Sequence, residues 1–199
     1  MLRDAGRQFA TATLDSFRLH GTATEQAAQQ FVLMRVQEYC SGIGQVVASG
    51  GNVVLVGPCG TGKDHLIIAM LRKVIESGCI DLLWVDAAET FGQFKDAISI
   101  GRDITELITR LVAPQLLVIS DLVPGSDALT PFEADILFRV LNSRWRHDRA
   151  TWANANVTSR EELETKIPKK CVSRLFDGAF TLRTQWSDYR KIRNTAGAR

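Results

Sequence analysis

The sequence predicts an α/β fold with a central five-stranded parallel sheet flanked by helices. Five short apolar runs have the length and composition of buried strands: Val53–Val56, Leu82–Val85, Leu116–Ile119, Thr151–Ala155 and Phe180–Leu182. Segments with helical spacing precede or separate these runs: residues 23–40, 63–77, 87–98, 103–112 and 131–147. Strands that alternate with helices form βαβ units, and such units build parallel sheets that are covered on both faces.

Local signals support individual helices. Residues 23–40 place Ala27, Phe31, Met34 and Tyr39 roughly on one side, so we expect that side to face the core. The break between the helices predicted at 87–98 and 103–112 falls at Ser99-Ile100-Gly101. Pro131 stands at a first helical turn, where its fixed φ and missing N–H are tolerated.

Composition narrows the classes of protein that this chain fits. Of its 199 residues, 45% are hydrophobic and 23% are charged, which predicts one folded domain and argues against disorder. The net charge of +2 is too small to predict nucleic-acid binding by itself. The four cysteines form no C-x-x-C pair, so the sequence indicates neither a zinc site nor a disulfide framework.

The sequence contains no targeting or membrane-spanning pattern. Residues 1–17 carry charges and lack the apolar centre of a signal peptide. No apolar run approaches the roughly 18–20 residues that span a bilayer. We therefore expect a cytoplasmic protein that makes no membrane contact.

A glycine-rich loop carries the strongest functional signal. The pattern G-x-x-x-x-G-K runs from Gly57 to Lys63, follows the apolar run Val53–Val56 and opens a helix. Its backbone N–H groups and the helix N-terminus attract phosphates, and Lys63 reaches the β- and γ-phosphates. The candidate nucleotide-binding residues are Gly57, Pro58, Cys59, Gly60, Thr61, Gly62, Lys63, Asp64 and His65. The alternative is a glycine-rich turn followed by an exposed lysine.

Asp64 follows Lys63 at a position where such loops carry a Ser or Thr whose hydroxyl ligates Mg²⁺. A carboxylate is also a good Mg²⁺ ligand, so Asp64 is a candidate metal ligand. Its charge also lies next to the triphosphate, which penalises binding without metal. Alternatively, Asp64 only stabilises the first turn of the helix, where acidic residues are favourable.

The strand predicted at Leu116–Ile119 continues into Ser120-Asp121, where strands of this type end in two acids. The first acid orients the Mg²⁺ shell and the second polarises the attacking water. If Asp121 is the second acid, Ser120 replaces the first; if it is the first, Leu122 replaces the second. One carboxylate is missing either way, so we expect slow hydrolysis. We hypothesise that Asp64 supplies the charge lost at Ser120 and binds Mg²⁺ with Asp121.

Together these residues resemble the AAA+ ATPase domain of DnaC-type replicative helicase loaders and of the related IstB-type transposition helper ATPases. The resemblance covers nearly the whole chain. It rests on Thr13–Phe17 and on the segments "GGNVVLVGPCGTGKDHLIIAML", "LLVISDL", "ATWANANVTSREEL", "SRLFDGAF" and "QWSDYR". The last segment, at residues 185–190, favours the loader branch.

The resemblance implies a P-loop NTPase of the AAA+ class that binds ATP with Mg²⁺. It implies a homo-oligomer that assembles on single-stranded DNA and loads or remodels a replicative helicase, or delivers a transposase if the IstB branch applies. Asn154 or Asn156 matches the γ-phosphate sensor, and Arg174 matches an arginine that reaches a neighbouring subunit's nucleotide. The candidate catalytic residues are thus Lys63, Asp121, Asn154 and Arg174. The alternative is a nucleotide-dependent binding module with little hydrolysis.

The resemblance also divides the chain. We expect an N-terminal lead-in at residues 1–22, an AAA+ ATPase domain at 23–193 and a frayed basic tail at 194–199. Loaders of this family normally carry a further N-terminal domain that grips the helicase. Because this chain starts almost at the ATPase domain, we expect that contact to be missing or made differently, as in a shortened chain or a mobile-element relative.

Two groups of residues are candidates for nucleic-acid contact. Phe91, Phe94 and Lys95 are spaced i, i+3, i+4 and share a helix face, a pattern suited to base stacking and phosphate binding. The alternative is that both phenylalanines are core residues. Arg144 and its neighbours Arg146 and Arg149 either follow a phosphate backbone or complement the dipole at a helix end.

Overall fold

A computed structural model describes residues 11–79, 81–125 and 127–191. Its helices are α1 (Ala23–Cys40), α2 (Ile43–Ala48), α3 (Lys63–Glu76), α4 (Ala87–Ser99), α5 (Thr105–Val112), α6 (Pro131–Arg146), α7 (Arg160–Lys166) and α8 (Lys169–Phe176). Its strands are β1 (Val53–Val56), β2 (Leu82–Asp86), β3 (Leu116–Ser120), β4 (Ala150–Ala155) and β5 (Phe180–Arg183). Within these residues, every helix is too short or too polar to cross a membrane.

The strands form one parallel sheet in the order β2-β3-β4-β1-β5. Val54 in the middle of β1 lies opposite Ala153 of β4 on one side and Thr181 of β5 on the other. Each apolar run predicted as a strand is a strand, and the ends differ by at most one residue. The predicted five-stranded parallel sheet flanked by helices is therefore confirmed.

Alternation along the strands separates the core into two layers. Successive side chains of a strand point to opposite faces of the sheet. Val53 and Leu55 belong to the layer under α1, α2 and α3, whereas Val54 and Val56 belong to the layer under α4 to α8. Both faces are covered, which explains why the strands read as continuous apolar runs.

The strand order brings three polar segments together. In a parallel sheet all strands end on the same side, which we call the carboxyl edge; they begin at the amino edge. At the carboxyl edge, β1 leads into Gly57, β3 ends at Ser120, and β4, which lies between them, leads into Asn156. The glycine loop, the acidic pair and the asparagines are therefore neighbours.

The apolar face predicted for α1 is wrong. Phe31 and Met34 are 55% and 46% exposed, and the buried residues of α1 are Gln29, Val32 and Val36. Gln29 faces inward because its amide hydrogen-bonds both the backbone N–H and the carbonyl of His20, at 3.0 and 2.9 Å. The prediction chose the wrong side of α1 because it counted apolar residues, whereas the side that faces the core includes the polar Gln29.

Three helices were not predicted: α2, α7 and α8. They have six, seven and eight residues, fewer than the roughly 11–18 residues over which helical spacing is recognised. For α7 the sequence held a usable signal, because Ser159 accepts a hydrogen bond from the N–H of Glu162 in the spacing of a helix N-cap.

Candidate nucleotide-binding site

The glycine loop joins β1 to α3 and is enclosed from two directions. Gly60 and Gly62 have φ of 76° and 89°, which side chains with a Cβ rarely adopt. A Cβ at Gly62 would overlap the ring of Phe17, and one at Gly60 would overlap the carboxylate of Asp188. Glycine is therefore required both for the turn and for these two close approaches.

Lys63 points back into the loop. Its Nζ donates to the carbonyls of Gly57 and Pro58, at 2.7 and 2.8 Å, and to Asn156 Oδ1 at 2.8 Å. Burial lowers the pKa of Lys63, while Cys59 and the carboxylates of Asp64 and Asp121 oppose that shift. The ammonium group lies within the loop that is expected to surround the phosphates, and not at an exposed surface as the alternative required.

Asp64 contacts the ends of two strands. Ser120 donates from Oγ to Asp64 Oδ1 over 3.0 Å, and Asn154 donates from Nδ2 to the same oxygen over 2.6 Å. Burial raises the pKa of Asp64, whereas the hydrogen bond from Ser120 lowers it. Asp64 also lies in the first turn of α3, where an acidic residue is favourable, although among the described residues no backbone N–H of the helix donates to its carboxylate.

Asp121 is held in place by both asparagines of β4 and the loop after it. Its N–H donates to Asn154 Oδ1 over 3.0 Å, and its Oδ1 accepts from Asn156 Nδ2 over 2.8 Å. Its φ of 48° is in the left-handed region, which Asp tolerates better than most residues but which still carries strain. Asn156 thus links Lys63 to Asp121, and Asn154 links Asp64 to the backbone of Asp121.

His65 serves the N-terminal lead-in and not the loop. Its Nε2 lies 2.8 Å from the carbonyl oxygen of Thr13 and 3.3 Å from Ser16 Oγ, and its ring meets Phe17 edge-on. The side chain of His65 is therefore engaged by the lead-in, and nucleotide binding by His65 stays a prediction. Residues 11–22 of the predicted lead-in pack on the domain, with Ala12 buried at 3% exposure; residues 1–10 and 192–199 lie outside the described residues.

A C-terminal segment at residues 184–190 also borders the loop, and sequence reasoning missed this contact. The hydroxyls of Thr184 and Thr61 are 2.6 Å apart, and the N–H of Tyr189 donates to the Gly60 carbonyl over 3.0 Å. Burial is the main cause that lowers the pKa of Lys63, and the positive charge of Arg190 lowers it further. The segment follows β5, 120 and more residues after the loop, so no local spacing in the sequence announces it.

The residues at the carboxyl edge fit a nucleotide with Mg²⁺. Asp64 and Asp121 supply carboxylates, which suit Mg²⁺, and the glycine loop supplies backbone N–H groups for phosphates. Among the described residues there is no group of three or more His, Cys, Asp or Glu that would form a complete metal cage. Mg²⁺ in such a site takes its remaining ligands from phosphates and water.

Arg174 lies at the amino edge, away from the loop of its own chain. Its carbonyl accepts a hydrogen bond from Asn52, the residue before β1, over 3.0 Å. Its guanidinium stacks 3.8 Å from the centre of the Trp145 ring and donates to Asn142 Oδ1 over 3.3 Å. Arg174 and Trp145 line a groove of about 590 Å³ together with Arg146 and Arg149.

Comparison with known proteins identifies the family. A family model described as IstB-like ATP binding protein matches residues 14–164, most of the chain. The chain belongs to this ATP-binding family. The matched range includes the glycine loop, Asp121 and both asparagines, and it ends before Arg174. A search of curated proteins found no match.

Solved structures share the fold of this family member. A DnaC helicase loader has a TM-score of 0.74 at 20% identity, with 90% of this chain and 99% of that chain covered. DnaI has a TM-score of 0.67 at 16% identity, with 92% and 93% covered. AMPPCP-bound DnaA from Aquifex aeolicus has a TM-score of 0.67 at 17% identity, and the match covers 94% of this chain but 55% of that one. These likenesses establish the AAA+ P-loop fold.

The arginines near the end of α6 divide into one structural and two surface residues. Arg144 is 0% exposed and donates to Thr151 Oγ1 and to the carbonyls of five residues: Leu111, Val112, Pro114, Gln115 and Ala150. Burial lowers its pKa to about 9. Arg144 therefore joins the end of α5 to the starts of β3 and β4 and is not available to a phosphate backbone.

The structure corrects the proposed DNA contact at Phe91, Phe94 and Lys95. The two phenylalanine rings are 4% and 1% exposed and belong to the core under α4, as the alternative interpretation held. A ring at this depth has no free face for a base. Lys95 is at the surface, where its Nζ forms a 2.7 Å ion pair with Glu133 of α6.

Proposed function

We propose that this chain is a DnaC-like ATP-binding protein that acts in the cytoplasm during DNA replication. It binds ATP with Mg²⁺ at the carboxyl edge, assembles as a homo-oligomer on single-stranded DNA and helps load or remodel a replicative helicase. Asp64 and Asp121 hold the metal, Lys63 binds the β- and γ-phosphates, and Asn156 senses the γ-phosphate.

The opposite placement of Arg174 and the glycine loop carries this proposal. Arg174 is tied to Asn52 at the start of β1, whereas the loop follows the end of the same strand. One subunit therefore cannot bring its own arginine to its own nucleotide. If two subunits stack with the amino edge of one against the carboxyl edge of the next, Arg174 of the first reaches the phosphates bound by the second. An arginine at this place stabilises the charge of the transferred phosphate in trans.

The altered acidic pair favours slow turnover within this function. Ser120 stands where an acid is usual, and Asp121 is tied by hydrogen bonds to Asn154 and Asn156. A module in which bound ATP chiefly stabilises the assembly, with little hydrolysis, is the second candidate. Single-turnover measurements with and without single-stranded DNA separate the two, because a loader is stimulated by its DNA whereas a static module is not.

Mixing two defective variants tests the arrangement in trans. Lys63→Ala removes nucleotide binding and keeps Arg174; Arg174→Ala does the reverse. We expect each variant alone to lose ATP-dependent assembly and hydrolysis and the mixture to regain part of both. Arg146→Ala, which removes an exposed arginine from the same groove, is the matched control. A mixture as inactive as its components contradicts a shared site.

Capture experiments identify the partner. The purified chain, with ATP or ADP, is presented to a replicative helicase and separately to a transposase. We expect ATP-dependent retention of the helicase and weaker retention by the Arg174→Ala variant. Retention of the transposase alone would move the chain to the transposition branch. Anisotropy of a labelled single-stranded oligonucleotide across a salt series measures the DNA contact independently.

A further inference from the structure

The contact between Asp64 and Ser120 has a specific chemical meaning. In P-loop ATPases the residue after the lysine is a hydroxyl, and the strand that carries the acidic pair supplies an acid. This chain holds the same two groups at the same two positions in reverse order. Ser120 Oγ and Asp64 Oδ1 are 3.0 Å apart, so the hydroxyl and the carboxylate still meet.

We propose that Asp64 and Ser120 are an exchanged metal-binding pair, in which the first turn of α3 provides the carboxylate and the strand end provides the hydroxyl. The inference rests on the nucleotide-binding part of the proposed function and explains why its metal site uses the carboxylate of Asp64 where other P-loop ATPases use a hydroxyl. Mg²⁺ meets a carboxylate of the phosphate loop's own helix instead of a neutral hydroxyl.

The geometry keeps one oxygen of Asp64 for the metal. Among the described residues, both side-chain hydrogen bonds of Asp64, from Ser120 and Asn154, go to Oδ1. These two bonds fix the carboxylate, and Oδ2 receives neither of them. A carboxylate fixed through one oxygen presents the other in a defined direction, as a metal ligand requires.

Asn154 is the third member of this arrangement. It donates to Asp64 Oδ1 over 2.6 Å and accepts from the N–H of Asp121 over 3.0 Å, and it is 1% exposed. We therefore assign Asn154 as a positioning residue for the displaced carboxylate. Asn156, bonded to both Lys63 and Asp121, is the better placed of the two asparagines to contact a phosphate.

The exchange makes nucleotide binding depend strongly on the divalent ion. The carboxylate of Asp64 is in the first turn of α3, next to Lys63, and so close to the place of the phosphates. Without Mg²⁺, two negative groups face each other at short range in a partly buried site, where repulsion is weakly screened. A bound Mg²⁺ would supply the positive charge that offsets this repulsion.

The test measures binding, not turnover. Affinity for a non-hydrolysable ATP analogue is determined by calorimetry in Mg²⁺ and in EDTA for the wild type, Asp64→Thr, Ser120→Asp and the double variant. We expect Asp64→Thr to lose most of the advantage of Mg²⁺ over EDTA and Ser120→Asp, with three crowded carboxylates, to bind at least about tenfold more weakly. The double variant restores the usual order and recovers to within about threefold of the wild type.

Further variants separate charge from shape. Asp64→Asn keeps an acceptor for Ser120 but removes the charge, so it should behave like Asp64→Thr. Asn154→Ala keeps the charge of Asp64 but removes a hydrogen bond that orients its carboxylate. It should therefore weaken the affinity in Mg²⁺ and leave the affinity in EDTA unchanged. Glu106→Gln, which removes an exposed carboxylate of α5, is the control for net charge, and melting of each free variant confirms folding.

The outcomes distinguish failure of the proposed nucleotide site from failure of the exchanged metal-binding pair. If the wild type binds no nucleotide in either condition, both the proposed function and the exchange fail. If it binds but the effects at positions 64 and 120 simply add, the exchange is wrong and the nucleotide site remains. Equal advantage of Mg²⁺ over EDTA in the wild type and Asp64→Asn would likewise remove Asp64 from the metal.

Discussion

The two edges of the sheet each hold a buried cation, and they hold it differently. At the amino edge, Arg144 is 0% exposed and five of its six acceptors are backbone carbonyls in fixed helix and strand ends. At the carboxyl edge, Lys63 is 6% exposed and its acceptors are two carbonyls of a glycine loop and the side chain of Asn156.

This difference separates architecture from a binding site. The partners of Arg144 belong to elements that exist only in the folded domain, so this cation stabilises the junction of α5, β3 and β4. The partners of Lys63 lie in a loop and in an amide, which can give up the ammonium to a phosphate oxygen. A buried charge whose acceptors are exchangeable is the one to expect at a ligand site.

The largest expected effect is the loss of stability on removing Arg144 from the amino edge. Arg144→Ala leaves five carbonyls without their donor, and loss of the hydrogen bonds of a buried charged group costs at least about 1.5–3 kcal/mol. We expect the free energy of unfolding in urea to fall by that amount. Arg146→Ala, two residues later and exposed, is the control and should change stability by less than about 0.5 kcal/mol. Similar losses in both variants would contradict the structural role of Arg144.

Lys63→Ala should strongly weaken nucleotide binding at the carboxyl edge and leave the fold intact. Hydrogen bonds to a charged group contribute about 1.5–3 kcal/mol, so we expect at least a tenfold loss of ATP affinity. The rise in melting temperature on adding Mg²⁺ and ATP should disappear. Lys73→Ala removes an exposed lysine from the same helix and should keep that rise. Unchanged stabilisation in Lys63→Ala would remove the loop from the site.

Restoring the usual acids should accelerate turnover. We expect the wild type to hydrolyse ATP more slowly than about one per second, below the usual range of enzymes. The triple variant Asp64→Thr, Ser120→Asp, Asp121→Glu returns both strand-end carboxylates to their common positions, and we expect it to be about tenfold faster, an effect of about 1.4 kcal/mol. Phosphate release is the measurement, and fast hydrolysis by the wild type would contradict the premise.

The smallest effect concerns the second arginine of the amino edge. The ring of Trp145 makes a cation–π contact with the guanidinium of Arg174, and its Nε1 donates to Asp177 Oδ2 over 2.7 Å. Trp145→Ala should destabilise the domain by about 0.5–1 kcal/mol, the usual size of an exposed cation–π contact. Trp145→Phe keeps a ring and should lose less. Equal losses in urea unfolding would assign the effect to the bond with Asp177 instead.

The sheet and the glycine loop could be predicted because each is encoded by a pattern of residues that are close together in the sequence. Each strand is a continuous buried run, and the spacing from Gly57 to Lys63 has meaning within seven residues. The patterns failed where a distant partner decides. Gln29 is buried because His20 offers it two backbone groups, and Phe91 and Phe94 are buried because they join one core cluster with residues of β3 and α6 that are distant in the sequence.

The sequence predicted that three of the candidate residues lie together, but not how they are hydrogen-bonded. Lys63, Asp64 and Asp121 meet at the carboxyl edge, as parallel strands and their motifs require. The sequence left open which asparagine touches which acid, since Asn154 and Asn156 are two residues apart and either fits a strand end. Only the fold shows that the first holds Asp64 and the second joins Lys63 to Asp121.

Both ends of the described chain converge on the glycine loop. The segment before α1 reaches it through Phe17, the segment after β5 reaches it through Tyr189, and the two are joined where His20 Nε2 meets the Ser187 carbonyl at 2.8 Å. Both segments therefore flank the loop that is proposed to bind the phosphates. Because they contact the loop and each other, a rearrangement of the loop on nucleotide binding or release would displace the two segments together.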